Sequence, residues 1–434
     1  MRTVQIHQPK NIENFKQNLL LWSQQFNEVL WLDGNAYDLM NSKYDAVLAV
    51  DALTVIQTDA YGAFEQLKEF QTITKDWIFG YLSYDLKNDV EKLASKNKDR
   101  LQFPELFFFQ PKKLFLLKGD TLEVQYLNLV ADEWQQDLVA IEAQEVNLKH
   151  ASKANINIQP RIKKQDYLLK VEEMLTHIHR GDIYEANFCM EFFAEAAEIN
   201  PLAIYQSLNA ISTPPFASFF KNYDQFAMSA SPERYIKKEG LKVASQPIKG
   251  TARRSSNTNE DQLLKQQLSE DIKERSENVM IVDLVRNDLS KTALKGTVTV
   301  EELCKVHTFK QVHQMISTVS SQIGPDVHPI DVLRTTFPMG SMTGAPKISA
   351  MTIIEALEES KRGLYSGAMG YITPEGDFDF SVVIRSILYN AYENYVSYTV
   401  GSAITSKSDP EKEFEECLLK AKAMREVLEN SSVL

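Results

Sequence analysis

Apolar residues recur at helical spacing in several stretches of the chain. Val171, Met174, Leu175 and Ile178 fall at i, i+3, i+4 and i+7, so they share one face of a predicted helix that Gly181 is placed to end. Leu264, Leu268 and Ile272 line one side of Leu263 to Asp288, which predicts a single long helix there. Lys347 to Glu358 predicts another, with Pro346 at a first-turn position where proline costs nothing. Phe414, Cys417, Leu418, Ala421 and Leu428 give Glu411 to Leu428 an apolar face. Short unbroken apolar runs, Ala46 to Val50 and Trp77 to Leu82, predict buried strands. Leu101 to Leu117 is rich in aromatic residues, and further strand-like stretches pass through Phe188 and Phe192 and through Tyr395 to Val400. Helices and short strands alternate irregularly, which favours an α+β layered fold over a doubly wound sheet. The polar segment 149–164, which contains Pro160, reads as a linker. It divides the chain into an N-terminal α/β region, 1–150, and a larger region, 151–434.

Charge and cysteine usage narrow the function. The 434 residues carry 47 Lys and Arg against 59 Asp and Glu, a formal net charge of −12. An acidic excess argues against a general nucleic-acid binder but leaves room for a small anionic ligand held by a few convergent cations. Three cysteines lie far apart and form no C-x-x-C pair, which disfavours structural zinc and suits a reducing cytoplasm. The polar start of the chain lacks a signal-peptide core, and no apolar run approaches the roughly 18 residues of a membrane helix. A cytoplasmic protein with no membrane or nucleic-acid partner is expected.

Candidate chemistry sits in a few constrained segments. Glu274 and Glu277, and likewise Glu413 and Glu416, are spaced i, i+3, which puts each pair on one helix side. Two such pairs facing each other would repel unless a hard cation lay between them, and all-oxygen ligation suits Mg²⁺. From spacing alone the same pairs also suit two solvated helix faces. Gly340 to Lys347 precedes a helix, and Gly401-Ser402 follows a strand-like stretch; either can turn free N–H groups toward a carboxylate, or can be a simple turn. Lys249 lies between Pro247 and Gly250 in a tight segment, where a desolvated amine can lose its proton and act as a nucleophile. Glu233, in Ser231-Pro232-Glu233-Arg234, would serve as a general acid if burial raised its pKa. No H-E-x-x-H, G-x-S-x-G or P-loop pattern is present.

Taken in order, these segments carry a resemblance. Ser231-Pro232-Glu233-Arg234, Pro247-Ile248-Lys249-Gly250-Thr251, Glu277 to Asp288 (with Val282-Asp283-Leu284-Val285-Arg286-Asn287-Asp288), Phe337 to Lys347, Arg362-Gly363-Leu364-Tyr365-Ser366-Gly367 and the closing Glu413, Glu416 and Lys420 resemble the chorismate-binding enzymes, a family of anthranilate, aminodeoxychorismate, isochorismate and salicylate synthases. The likeness is firm from about 164 to 425 and weaker at Phe79 to Leu86. It implies two stacked antiparallel β-sheets flanked by helices. Lysine in the Pro-Ile-x-Gly-Thr segment is similar to the lysine-bearing aminodeoxychorismate synthases, where anthranilate synthases have alanine. That implies Mg²⁺-dependent amination of chorismate at C4, giving 4-amino-4-deoxychorismate, a precursor of 4-aminobenzoate and folate. Lys249 would attack C2, ammonia would then displace it through C4, and Glu233 would act as the acid. The resemblance further implies Glu274, Glu277, Glu413 and Glu416 as the metal cluster, with Glu277 and Glu416 closest. It implies Tyr365, Arg385, Gly401 and Lys420 around the substrate carboxylates, and Gly250, Thr251, Ser341 and Gly344 as backbone and hydroxyl contacts. Because it takes up the chain, ammonia is expected from a separate glutamine amidotransferase subunit. Anthranilate synthase component I and a non-catalytic scaffold for a glutaminase are the rival readings.

Three positions depart from the family pattern. Gln314 stands where a histidine is usual, with His313 one place earlier; glutamine can hydrogen-bond substrate but cannot titrate. Ala403 replaces a second glycine after Gly401. Glu185 replaces a glutamine of the amination enzymes and the base lysine of the isochorismate- and salicylate-forming members.

Overall fold

The computed structural model describes residues 1–37, 42–144 and 156–429. The predicted boundary at 150/151 and the first part of the expected linker lie outside the described residues. The strand Leu106–Lys118 is the hub of the strand network. In one direction the ladder runs through Ala46–Thr58, Glu28–Asp33, Phe216–Asn222, Gln225–Ser231, Ser386–Asn390 and Tyr395–Thr405 to Glu185–Ala194. In the other it runs through Ile78–Leu82, Ala368–Ile372, Phe378–Val382, Arg234–Glu239 and Lys242–Ser245 to Val312–Gln322. Every one of these ladders is antiparallel.

Side-chain alternation stacks the two branches. Successive residues of a strand point to opposite faces. Leu30, Val47, Ala49, Phe220 and Ala227 of the first branch therefore share one buried cluster with Phe79, Tyr81, Met369, Phe380 and Val243 of the second. Tyr81 meets Phe220 edge-on, with centroids 5.2 Å apart. The other face of the first branch, with Val29, Trp31, Leu48, Phe219 and Met228, packs under helices Ile12–Trp22, Lys164–Arg180, Pro201–Ser212 and Pro410–Glu429. Helices Ala63–Thr74, Ile272–Ser290 and Pro329–Thr336 add Leu67, Ile281 and Leu333 to the shared cluster. This is the expected architecture of stacked antiparallel sheets flanked by helices. The paired strands Ile78–Leu82 and Leu106–Lys118 approach closely at Gly80, where a Cβ would lie 1.9 Å from the Phe107 carbonyl oxygen, so only glycine fits.

The helices follow their amphipathic patterns with one correction. The single helix predicted over Leu263 to Asp288 is two, Thr258–Glu270 and Ile272–Ser290. Asp271 stands at the break in an extended conformation, and its side chain accepts the Glu274 N–H at 3.0 Å. A carboxylate that caps one helix start competes with continuation of the helix before it. The break puts Glu274 in a first turn and Glu277 one turn further in. Gly181 ends Lys164–Arg180 at φ 87°, as predicted. Among the described residues no helix is long and apolar enough to cross a membrane. Cys189, Cys304 and Cys417 are all free and buried.

Candidate active site

Lys249 owes its orientation to a bulge. Strand Ile248–Arg253 pairs with Val312–Gln322, with Ile248 opposite Ile316 and Thr251 opposite Gln314. One residue on the first strand is therefore extra, and Gly250 takes a left-handed φ of 84° there. Such a bulge re-aims the adjacent side chain out of the ladder. The Lys249 Nζ donates to Glu185 Oε1 at 2.7 Å, at the start of strand Glu185–Ala194. Glu185 is 1% exposed, and its Oε2 has no hydrogen-bond partner among the described residues.

Charge balance decides the resting state of this amine. Burial pulls the Lys249 pKa down, but Glu185, Glu277 and Glu233 outweigh burial and hold it above its usual value. The sequence suggests a desolvated amine ready to lose its proton; the structure surrounds it with carboxylates, so at rest it is an ammonium ion.

Glu233 is a buried carboxyl. It is 5% exposed, and burial pushes its carboxyl up to about 7, against the pull of the Ser341 hydroxyl, the Lys249 charge and the Ile248 amide. Its main chain is fixed: the Val382 N–H donates to its carbonyl at 3.0 Å. The neighbouring Arg234 donates through Nε and Nη2 to the two oxygens of Asp379, at 2.8 and 3.0 Å, and through Nη1 to Gln246 Oε1 at 2.8 Å. That fork ties the turn carrying Glu233 to the segment carrying Lys249.

The two predicted carboxylate pairs come from separate helices and meet. Glu277 is 7% exposed, and burial raises its carboxyl to about 7; Lys249 and Lys273 oppose the rise while Glu185 and Glu274 add to it. Burial also raises Glu274. Glu413 accepts from the Ser402 hydroxyl. Burial would raise Glu416, but Lys420, 2.7 Å away, brings it below its usual value, with help from Lys273 and Lys249. Lys273 lies between the helices, 3.8 Å from Glu277 Oε1 and 3.7 Å from Glu413 Oε1. The donor set is all oxygen, and Glu277 Oε1 is buried with no hydrogen-bond partner among the described residues. Those features fit a hard divalent cation that keeps several waters. A closed cage is not preformed: among the described residues no three His, Cys, Asp or Glu side chains converge as a ready metal site.

The residues expected around substrate carboxylates gather on the same side. Arg385 makes no ion pair or side-chain hydrogen bond with the described residues; burial lowers its pKa, and Tyr365 and Glu416 are the groups that counter this. The Tyr365 hydroxyl lies 3.7 Å from Cys189 Sγ. Cys189 pairs with Gly401 across the ladder, and a Cβ on Gly401 would come within 2.7 Å of that sulfur. Lys420 Nζ donates to the Gly401 carbonyl at 2.8 Å. Gly344 approaches the Glu185 carbonyl so closely that a Cβ would sit 2.2 Å from it, and the buried Ser341 hydroxyl lies toward the Glu233 carboxyl. Gly250 faces Glu274, whose Oε2 would be 3.1 Å from an added Cβ. Thr251 is exposed on its strand opposite the buried Gln314. His313 is committed to structure: Nε2 meets Asp261 Oδ1 and Nδ1 meets Thr308 Oγ1, each at 3.0 Å. Among the described residues Asp283 is paired locally, with Arg286 at 2.8 Å.

Three residues that were given no role in the sequence adjoin or brace the site. Arg362 is a buried clamp: its fork holds Glu358 at 2.9 and 2.6 Å, it donates to the Met342 and Asn187 carbonyls at 2.7 Å each, and it lies over the Tyr84 ring at 4.4 Å. It thereby fixes the segments bearing Ser341, Gly344 and Glu185. Lys347 anchors the other side of that segment on Asp288, at 2.5 Å. Lys273 is the third. The i, i+4 spacings Glu358–Arg362 and Lys273–Glu277 were the available signals. A separate cavity of about 60 Å³, lined by Asp33, Tyr44, Phe216 and Asp379 among others, includes none of the predicted site residues.

Comparison with known proteins agrees with this geometry. Residues 23–426 match the family model described as chorismate binding enzyme. The chain is 34% identical over 355 residues to the "Anthranilate synthase component I-like protein" of Synechocystis sp., covering 81% of this chain and 72% of that protein. It is 33% identical over 384 residues to "Aminodeoxychorismate synthase, chloroplastic" of Arabidopsis thaliana, covering 82% of this chain but 41% of that longer protein. Its fold is similar to the crystal structure of anthranilate synthase component I from Streptococcus pneumoniae TIGR4, with a TM-score of 0.78 and 24% identity, covering 90% of this chain and 94% of the other.

Proposed function

The chain belongs to the chorismate-binding enzyme family, and from that premise we propose that it aminates chorismate at C4, the activity of an aminodeoxychorismate synthase component I. The observation that carries the reading is the pairing of a held lysine with a buried carboxyl that is half protonated near neutrality: Lys249 against Glu185, with Glu233 at about 7. A hydroxide is a poor leaving group and needs an acid; the anthranilate-type reading gives no role to a lysine at this point.

In the proposed reaction Lys249 first passes a proton to Glu185, its 2.7 Å partner. The free amine attacks C2, the ring double bonds shift, the C4–O bond breaks, and Glu233 protonates the departing oxygen so that water leaves. Ammonia then attacks C4, the double bonds shift back, the C2–N bond breaks, and the released lysine recovers its proton from Glu185. Two displacements in series retain the configuration at C4. Arg385, with no carboxylate partner among the described residues, and Lys420 suit the anionic groups of the substrate. A divalent cation held by Glu277 and Glu416, with Glu274 and Glu413, would stabilise charge on a bound carboxylate and assist loss of the hydroxyl. The expected partner is a glutamine amidotransferase subunit that supplies ammonia.

The rival is anthranilate synthesis, whose name several of the relatives carry. Incubation with chorismate, Mg²⁺ and ammonium separates them. Formation of 4-amino-4-deoxychorismate supports the proposal; direct accumulation of fluorescent anthranilate overturns it.

A further inference from the structure

Lys273 stands out among the cations near the site because it touches carboxylates of both acidic helices. Its Nζ is 3.8 Å from Glu277 Oε1 on its own helix and 3.7 Å from Glu413 Oε1 on helix Pro410–Glu429. Glu274 and Glu416, the other carboxylates of the two pairs, are also near enough to act on it. These contacts neutralise without satisfying. Both exceed hydrogen-bonding distance, and Glu277 Oε1 is left buried without a hydrogen-bond partner among the described residues. The other lysines are tied by true hydrogen bonds: Lys420 to the Gly401 carbonyl at 2.8 Å, Lys249 to Glu185 at 2.7 Å. The Lys273 side chain is also 44% exposed, on the first turn of its helix, with water beside it to receive a displaced ammonium group.

We propose that Lys273 is a resident counter-cation of the carboxylate cluster: it holds the two acidic helices together before the divalent cation binds and is displaced when the cation arrives. This rests on the reading of Glu274, Glu277, Glu413 and Glu416 as metal ligands. A Mg²⁺ ion takes its oxygens at about 2.0–2.1 Å, so it must enter between oxygens that now share the ammonium group. Two cations cannot remain that close without strong repulsion. Metal entry and Lys273 departure are then one event, and the lysine sets the metal affinity by competing for the same carboxylates. Such a device keeps the cluster from splaying through self-repulsion without metal, at the expense of affinity.

The test is Mn²⁺ binding to the full-length protein, followed by electron paramagnetic resonance of free Mn²⁺, with thermal unfolding in parallel. Lys273→Met keeps the length of the side chain and removes its charge. It is expected to bind Mn²⁺ at least about tenfold more tightly than the parent, to melt at a lower temperature in chelator, and to gain more on metal addition. Lys273→Arg, which keeps the charge, is expected to bind no more tightly than the parent. Equal or weaker Mn²⁺ binding by Lys273→Met overturns the proposal while leaving the metal site intact. Absence of Mn²⁺ binding by parent and variants alike overturns both the proposal and the metal reading beneath it.

Discussion

Replacing Glu233 by glutamine should change the pH dependence of stability in a way that geometry alone would not. The carboxyl is buried, and burial raises it from 4.5 to about 7. A tenfold change in proton affinity corresponds to about 1.4 kcal/mol, so ionising this group in the fold costs about 3 kcal/mol relative to the unfolded chain. The sign follows from linkage. A carboxyl raised in the fold favours the native state while protonated, and that contribution is lost as pH rises from the unfolded value through the folded one. Glutamine has the same shape and no such loss. The stability of Glu233→Gln relative to the parent should therefore improve by about 2–3 kcal/mol between pH 5 and pH 8. Any fixed penalty for burying an amide shifts both ends equally and drops out. Urea unfolding midpoints across that range give the difference, and kcat/KM measured alongside should be strongly reduced in the variant if Glu233 is the acid. Parallel stability curves for parent and variant would refute the account of this carboxyl.

Glu277→Gln should weaken or abolish the dependence of activity on Mg²⁺, because the buried orphan oxygen is its proposed metal contact; a Mg²⁺ titration like that of the parent would contradict the ligand assignment. Gly401→Ala forces a Cβ to within 2.7 Å of Cys189 Sγ, so a loss of about 1–3 kcal/mol in urea unfolding is expected, partly recovered in combination with Cys189→Ala. Arg362→Lys cannot reproduce the fork that binds Glu358, and a loss of about 3 kcal/mol is expected; a change below about 0.5 kcal/mol would mean that Arg362 does not position the site.

Sequence and structure agree where one face of an element decides its state. The helix through Val171 and Ile178 was legible because its apolar stripe is continuous and Gly181 ends it. The break at Asp271 was not, because apolar residues continue across it and only the hydrogen bond from the Glu274 N–H to Asp271 reveals the cap. Strand partners were equally hidden. Ile78–Leu82 is buried along its whole length, so it shows no alternation to fix its face, and its partner Ala368–Ile372 lies almost three hundred residues away in sequence. In the site, residue identities were readable from constrained motifs, but protonation states were not. The charge on Lys249 depends on Glu185, a residue 64 positions earlier that reaches it only through the fold. Lys273 gains its second carboxylate only because the fold brings Glu413 of another helix beside it.

The covalent role of Lys249 is the central claim, and intact-protein mass spectrometry tests it most directly. Incubated with chorismate and Mg²⁺ but without an ammonia source, the protein should gain the mass of chorismate less one water, and peptide mapping should place the adduct on Lys249. Added ammonium should discharge it as 4-amino-4-deoxychorismate, and Lys249→Ala should form no adduct. Turnover of chorismate to the amino product with Lys249 unmodified throughout, or unchanged turnover in Lys249→Ala, would contradict the account.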